Sequence, residues 1–130
     1  MCKIIAGETY GFKTDVWEKA KKEAIRGILR EGLKGKLIFY SDLTKQISSI
    51  AFDPHGYEFR HLLGQISSEE EADGRGMLTA LVVLKEKGVP GDGYWDLAAQ
   101  LGRDVSDKLA CWAKEVEVVF EQCKRHPLAK

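Results

Sequence analysis

A chain of 130 residues, with 44% hydrophobic and 31% charged residues, has the size and composition of one globular domain with its own core. Its formal net charge is zero, which excludes a molecule that attracts nucleic acid or an anionic membrane through its overall charge. The charge is uneven, because residues 1–36 carry nine Lys and Arg against five Asp and Glu, a balance of +4 that the remainder offsets with −4. This basic segment favours an anionic partner, although a solvated helix face has the same composition.

The cysteines and the apolar runs indicate the compartment. Cys2, Cys111 and Cys123 are few, odd in number and widely spaced, so we expect free thiols in a reducing compartment. No apolar run approaches the roughly 18 residues that a membrane-spanning helix needs, and the first residues lack the pattern of a secretory signal. We therefore expect a cytoplasmic protein that makes no membrane contact.

The first predicted helix carries the excess of positive charge. Residues 1–13 form a lead-in with a small apolar patch at residues 4–6. Apolar side chains then recur at helical spacing from about residue 15 to residue 31, and Asp15 with Glu18 has the spacing of a capping box. The outer face of this helix carries Lys19, Lys22, Arg26 and Arg30.

The middle of the chain alternates short elements with helix-start signals. Asp53-Pro54 places a capping carboxylate before a proline that suits the first turn of a helix, and Gly64 is a typical end for the helix that follows. The predicted elements are a strand over residues 37–40, a helix over 42–49, a helix from about 54 to 64 and a short helical turn over 67–74.

The run from Leu78 to Leu84 has no polar face, so protein must cover both of its sides. It is predicted to be a buried strand at the centre of the fold. The glycine- and proline-rich segment Gly88–Gly93 is predicted to turn the chain, after which Tyr94-Trp95 begins either a second strand or a short helix. A long helix then starts at Ser106 and carries an apolar stripe over residues 109–123.

The order of these elements is that of a winged helix, in which a small antiparallel sheet closes a helix-turn-helix and a strand–turn–strand forms the wing. Phe39-Tyr40-Ser41-Asp42-Leu43 resembles the start of the helix-turn-helix in alkylguanine-DNA alkyltransferase-like domains. Leu78–Val83 with Gly88–Tyr94 resembles the strand–turn pattern of winged-helix-like modules in bacterial proteins related to restriction and phage defence. The resemblance covers residues 37–97, about half of the chain.

The resemblance implies a DNA-binding scaffold, but it does not imply the enzymatic activity of the alkyltransferases. Alkyltransferases carry their acceptor cysteine in a proline-cysteine-histidine-arginine motif, and this chain has Gly76-Met77-Leu78-Thr79 at that place. No nuclease segment accompanies the module. We therefore expect neither alkyl transfer nor another enzymatic activity.

The candidate contacts are cations and two aromatic residues. The second helix of a helix-turn-helix normally supplies base contacts, and here it offers one arginine. Tyr94 and Trp95 follow the predicted wing, where partial exposure would let them stack on a base or anchor a protein partner; core packing beneath the turn is the alternative. The predicted nucleic-acid contacts are Lys19, Lys22, Arg26, Lys45, Arg60, Arg75, Lys85 and Lys87.

Three other patterns have ordinary structural explanations. The glycines of Gly88–Gly93 lack the lysine and serine of a phosphate-binding P-loop, and the acidic run Glu69–Asp73 is typical of a solvated helical turn. Cys123 and His126 are only two ligands and do not complete a zinc site. We expect no cofactor and no metal ion.

Together these observations predict a single α+β domain over residues 1–130. Its core over residues 14–101 is winged-helix-like, and a C-terminal helix over 106–125 packs on the first helix. The leading functional hypothesis is a non-enzymatic nucleic-acid-binding protein with duplex DNA as its partner. The alternative is a protein-interaction or regulatory module, free-standing or homodimeric, that uses the same scaffold without nucleic acid.

Overall fold

The computed structural model describes residues 8–9 and 11–125. The apolar patch at residues 4–6, Cys2 and His126 lie outside these residues. The described chain is mostly helical with little sheet, which agrees with the predicted α+β class. Its helices are α1 (Thr14–Leu33), α2 (Tyr40–Lys45), α3 (Tyr57–Ala72), α4 (Asp92–Gln100) and α5 (Lys108–Arg125), and its strands are β1 (Glu8–Thr9), β2 (Phe12–Lys13), β3 (Ile38–Phe39) and β4 (Val82–Val83).

Helix α1 lies against the core along its whole length. Trp17, Ala20, Ala24 and Ile28 are completely buried at spacings of three and four residues, which is the pattern that identified this helix in the sequence. The helix is slightly longer than the predicted span of residues 15–31. The Trp17 indole Nε1 donates a hydrogen bond to Gln65 Oε1 of α3 at 2.8 Å, which links the two helices.

The strands form two separate pairs. β1 and β2 pair antiparallel, whereas β3 and β4 pair in parallel, with Ile38 opposite Val82 and Phe39 opposite Val83. A parallel pair needs a crossover connection, and α2 and α3 lie in the chain between these two strands. The prediction of an antiparallel sheet is therefore wrong for the central strands.

Residues Leu78–Val83 of this run are buried as predicted and Leu84 is partly exposed, but the conformation of the run is different. Leu78–Leu81 forms a 3-10 helix, and only Val82–Val83 is a strand. An apolar run without alternation fits a buried helical turn as well as a buried strand, so its pattern cannot separate the two. The Thr79 N–H donates to Ser67 Oγ at 3.1 Å, which joins the 3-10 helix to α3.

The second strand of the predicted wing is wrong, and the short-helix alternative is confirmed. Asp92–Gln100 is helical, with Gly91 in an extended conformation as the N-cap residue. Tyr94, Trp95 and Ala98 are buried at helical spacing, so the burial of one face favours a helix over a strand here. No second strand pairs with β4 after the turn in the described chain, and residues 84–91 join β4 to α4.

Helix α3 continues through Gly64, where the sequence predicted an end. Its buried positions, from Phe59 through Ile66 to Glu70, keep their spacing on both sides of the glycine. Packing of this face offsets the cost of about 1 kcal/mol that an interior glycine brings. The helix begins later than predicted, because Asp53 Oδ1 accepts the His55 N–H and holds a turn ahead of it.

Gly64 and Gly32 give a matched pair of substitutions that tests these helices. A Cβ at Gly64 would meet no atom within 4 Å, whereas a Cβ at Gly32 would lie 2.6 Å from Cys123 Sγ and 2.8 Å from Leu81 Cδ1. We expect Gly64→Ala to raise the free energy of unfolding by about 0.5–1 kcal/mol and Gly32→Ala to lower it by about 1–3 kcal/mol. Urea titration measures both changes, and a destabilised Gly64→Ala would mean that α3 ends at Gly64.

Helix α5 packs on α1, as predicted, and starts at Lys108 rather than at Ser106. The contact is close because Gly32 of α1 leaves room for Cys123 of α5. The predicted apolar stripe is only partly buried: Val119 and Cys123 lie in the core, whereas Leu109 is 61% exposed.

Candidate functional site

Five exposed cations lie on α1 and at the end of α2. The four on α1 are spaced by three and four residues, and a helix of 3.6 residues per turn puts them on the side opposite the buried stripe. Within the described residues, only one of the five, Arg30, makes a hydrogen bond, and none forms an ion pair. We call these residues the basic face: Lys19, Lys22, Arg26, Arg30 and Lys45.

Helices α1 and α2 are in contact, which places the end of α2, where Lys45 is exposed, beside α1. A Cβ at Gly27 would lie 2.6 Å from Gln46 Oε1 and 3.1 Å from Leu43 Cδ1, so any larger residue would have to displace the Gln46 side chain. Arg30 Nη1 donates a hydrogen bond to Gln46 Oε1 at 3.2 Å, directly after Lys45 in the chain. The helical pattern of the sequence places Arg30 on the outer face of the first helix, but the predicted contacts omit it. Its spacing of four residues from Arg26 is the pattern that could have included it.

One acidic side chain beside this surface, Glu23, is held by hydrogen bonds. Glu23 accepts hydrogen bonds from Ser48 Oγ at 2.6 Å, from Ser49 Oγ at 2.6 Å and from the Ser49 N–H at 3.0 Å. Burial alone would raise the pKa of Glu23, but these hydrogen bonds to its charged form lower it to about 2. Glu23 therefore fastens the segment after α2 to the side of α1.

Glu23 gives a pH dependence with a definite sign. Because the pKa of its folded form is lowered from 4.5 to about 2, its contribution to stability is present above pH 4.5 and is lost as the pH falls toward 2. We expect Glu23→Gln to be less stable than the natural sequence at neutral pH, and the difference to disappear near the acid end of this range. Thermal unfolding of both proteins from neutral pH down to about pH 2 measures this difference in stability. A difference that does not depend on pH would contradict the role assigned to Glu23.

The other predicted contacts lie on other elements of the fold. Arg75 donates to Glu70 at 2.9 and 2.8 Å and to Asp73 at 2.7 Å. The Glu70 hydrogen bonds are the main reason that the pKa of Arg75 is raised, and they commit its guanidinium to the end of α3. Lys85 and Lys87 are exposed in the segment between β4 and α4, and Arg60 is exposed on α3.

Tyr94 and Trp95 do not offer a contact surface. They are 6% and 9% exposed, because they lie on the face of α4 that packs on the core. Their rings meet edge to face with centroids 5.2 Å apart. Of the two possibilities for these residues, exposure after a wing and core packing beneath the turn, the structure therefore has core packing.

A cluster of charges that the sequence did not indicate holds the segment before the 3-10 helix. Arg103 donates to Glu115 at 3.0 and 3.1 Å and to Glu71 at 2.5 and 2.7 Å, and Glu115 Oε2 also accepts the Met77 N–H at 2.9 Å. Glu115 is only 6% exposed. We call this cluster, formed by Arg103, Glu71 and Glu115, the Arg103 clasp.

Comparisons with protein-family models, with curated proteins and with solved structures found no match. In the described chain, no group of three or more His, Cys, Asp or Glu side chains is arranged to hold a metal ion. None of the helices described here is both long enough and apolar enough to cross a membrane. The fold and site thus define a small, mostly helical α+β domain with a basic surface on its first helix.

Proposed function

We propose that the protein binds nucleic acid through the basic face and has no enzymatic activity. The observation that carries the proposal is the row of exposed cations on the side of α1 opposite its buried stripe. Lys and Arg that neutralise phosphates supply most of the affinity of non-specific nucleic-acid binding. A chain with zero net charge that gathers cations on one helix has a local site for such contacts.

The proposed contacts are to phosphates rather than to bases. Gln46 Oε1 is taken by Arg30, and the hydroxyls of Ser48 and Ser49 donate to Glu23. These polar groups are therefore less available to read base edges, which are recognised by hydrogen bonds from side chains. We expect weak sequence preference, with duplex DNA as the partner and α1 rather than a wing as the binding element.

A fluorescence-polarisation titration with a short labelled duplex tests the proposal. We expect a dissociation constant of roughly 10⁻⁶–10⁻⁴ M at low salt, since non-specific binders fall in this range. Five phosphate contacts predict that the affinity falls by roughly 10²–10³-fold between about 50 and about 200 mM salt. Absence of binding at low salt, or binding that does not change with salt, would contradict the proposal.

A protein-interaction module is the second candidate function, and helix α5 favours it. Leu109 is 61% exposed on this helix, and helical spacing places it on the same side as the partly buried Trp112, Val116 and Phe120. Exposed apolar side chains that are grouped in this way are typical of contact surfaces. Light scattering with and without duplex DNA separates the two functions. A stable homodimer that does not bind DNA favours the second function, and a monomer that binds DNA favours the first.

A further inference from the structure

A cleft of about 320 Å³ opens between α3, α4 and the start of α2. Its volume lies at the lower end of the range for small-molecule sites. Leu63, Leu84 and Leu97 form its apolar part, while Tyr40 and Arg60 are among its polar residues. No residue of the basic face lines it, so its chemistry is independent of the proposed nucleic-acid contact.

Two glycines let polar side chains reach the start of α4. A Cβ at Gly91 would lie 3.2 Å from Tyr40 Oη, and a Cβ at Gly93 would lie 3.3 Å from Arg60 Cδ. The Gly91 N–H donates a hydrogen bond to Tyr40 Oη at 3.1 Å. These contacts hold the Tyr40 hydroxyl and the aliphatic part of Arg60 against one wall of the cleft.

Tyr40, Arg60 and the start of α4 each present a hydrogen-bond donor that has no acceptor among the described residues. Tyr40 Oη accepts from Gly91, so its own proton remains available, and burial raises the pKa of Tyr40 and keeps that proton in place. The Arg60 guanidinium makes no ion pair or hydrogen bond with a described residue. No side chain caps α4. The Tyr94 N–H donates to the Gly91 carbonyl at 3.0 Å, which leaves the N–H groups of Asp92 and Gly93 without an acceptor among the described residues.

The balance of charge at the wall favours an anion. Arg60 contributes a permanent positive charge and His55 adds a ring nitrogen donor, against the carboxylate of Asp92. Arginine forms its strongest hydrogen bonds with phosphate and carboxylate oxygens. A ligand that supplies only acceptors would satisfy Tyr40, Arg60 and the start of α4 together.

We propose that this cleft binds a small phosphate ester. Its phosphate lies against Arg60, Tyr40 and the start of α4, and its organic part packs on Leu63, Leu84 and Leu97. The proposal rests on the cleft and on the donors gathered at one wall, and it stands whether or not the basic face binds DNA.

Ribose 5-phosphate is the probe, with ribose and inorganic phosphate as comparisons, and amide chemical shifts of the full chain are the measurement. We expect saturable shifts at residues 91–94 and around Arg60 with ribose 5-phosphate, weaker ones with inorganic phosphate and none with ribose. Equal binding of ribose and ribose 5-phosphate would overturn the proposal. So would absence of saturation at millimolar concentration, or binding no tighter than that of inorganic phosphate.

Two substitutions with opposite expected effects make the test specific. Arg60→Met keeps the aliphatic contact with Gly93 and removes the charge, so ribose 5-phosphate should bind at least about tenfold more weakly. Asp92→Asn removes the carboxylate from the same wall and should tighten binding. Arg125→Met, an exposed arginine of α5 outside both the cleft and the basic face, is the matched control and should leave binding unchanged. Unchanged binding by Arg60→Met, or weaker binding by Asp92→Asn, would overturn the assignment.

Discussion

Replacing Arg103 with methionine is expected to lower the free energy of unfolding by about 3 kcal/mol, because it leaves a buried carboxylate without its cation. Glu115 has a side chain only 7% exposed, whereas that of Arg103 is 21% exposed. Methionine keeps much of the aliphatic bulk, so the loss reports the charge and its hydrogen bonds rather than a cavity. Urea titration at neutral pH measures it.

The control for this prediction is another arginine in an ion pair. Arg125 lies 3.8 Å from Glu121 on the exposed side of α5, and both side chains are more than half exposed. An exposed pair of this kind contributes little, so Arg125→Met should change the free energy of unfolding by less than about 0.5 kcal/mol. Equal effects of the two substitutions would mean that the Arg103 clasp does not hold the segment before the 3-10 helix.

Removing three charges from the basic face is expected to abolish most DNA binding. Lys19→Gln, Lys22→Gln and Arg26→Gln combined should reduce the dependence of log affinity on log salt by about three units, one for each lost phosphate contact. The affinity at low salt should fall by at least about 30-fold, which corresponds to about 2 kcal/mol. Glutamine is nearly as good a helix former as lysine or arginine, so α1 should remain folded.

A variant of equal charge separates local contacts from overall electrostatics. Lys114→Gln, Lys124→Gln and Arg125→Gln combined remove three exposed cations from α5 and change the net charge by the same three units from zero. We expect this variant to bind DNA almost as well as the natural sequence. If both triple variants lose affinity equally, the basic face is not the binding surface.

The two long helices could be predicted from the sequence because their patterns are local. The stripe from Trp17 to Ile28 has the helical period over several turns, and the α5 stripe has it over residues 109–123. The cations of α1 follow from the same period, which put Lys19, Lys22 and Arg26 on the outer side. Their exposure in the structure agrees with that expectation.

For the centre of the chain, the sequence predicts burial but does not predict the secondary structure. Leu78–Val83 is apolar on every side, so its sequence does not distinguish a 3-10 helix from a strand, and the choice depends on what packs around it. Tyr94-Trp95 was ambiguous for a similar reason: a helix and a strand both bury aromatic residues. Glycine is common where helices end, which is why Gly64 was predicted to end this helix. The packing of Phe59 and Ile66 on either side of it keeps α3 continuous.

The Arg103 clasp could not be predicted because its members are distant in sequence. Arg103 meets Glu71 32 residues earlier and Glu115 12 residues later. Arg75 lies close to Glu70 and Asp73 in sequence, but nothing in their spacing indicates that its guanidinium is bound by both. The wall of the cleft could not be predicted for the same reason, since Tyr40 and Gly91 lie 51 residues apart.

Amide chemical-shift mapping during a titration with a short DNA duplex tests the central claim most directly, because it locates the contact as well as detecting it. We expect saturable shifts along the basic face, over residues 19–30 of α1 and over residues 45–49 from the end of α2, and we expect them to weaken as salt is added. Shifts confined to α5 or to the cleft, or none at low salt, would contradict this claim.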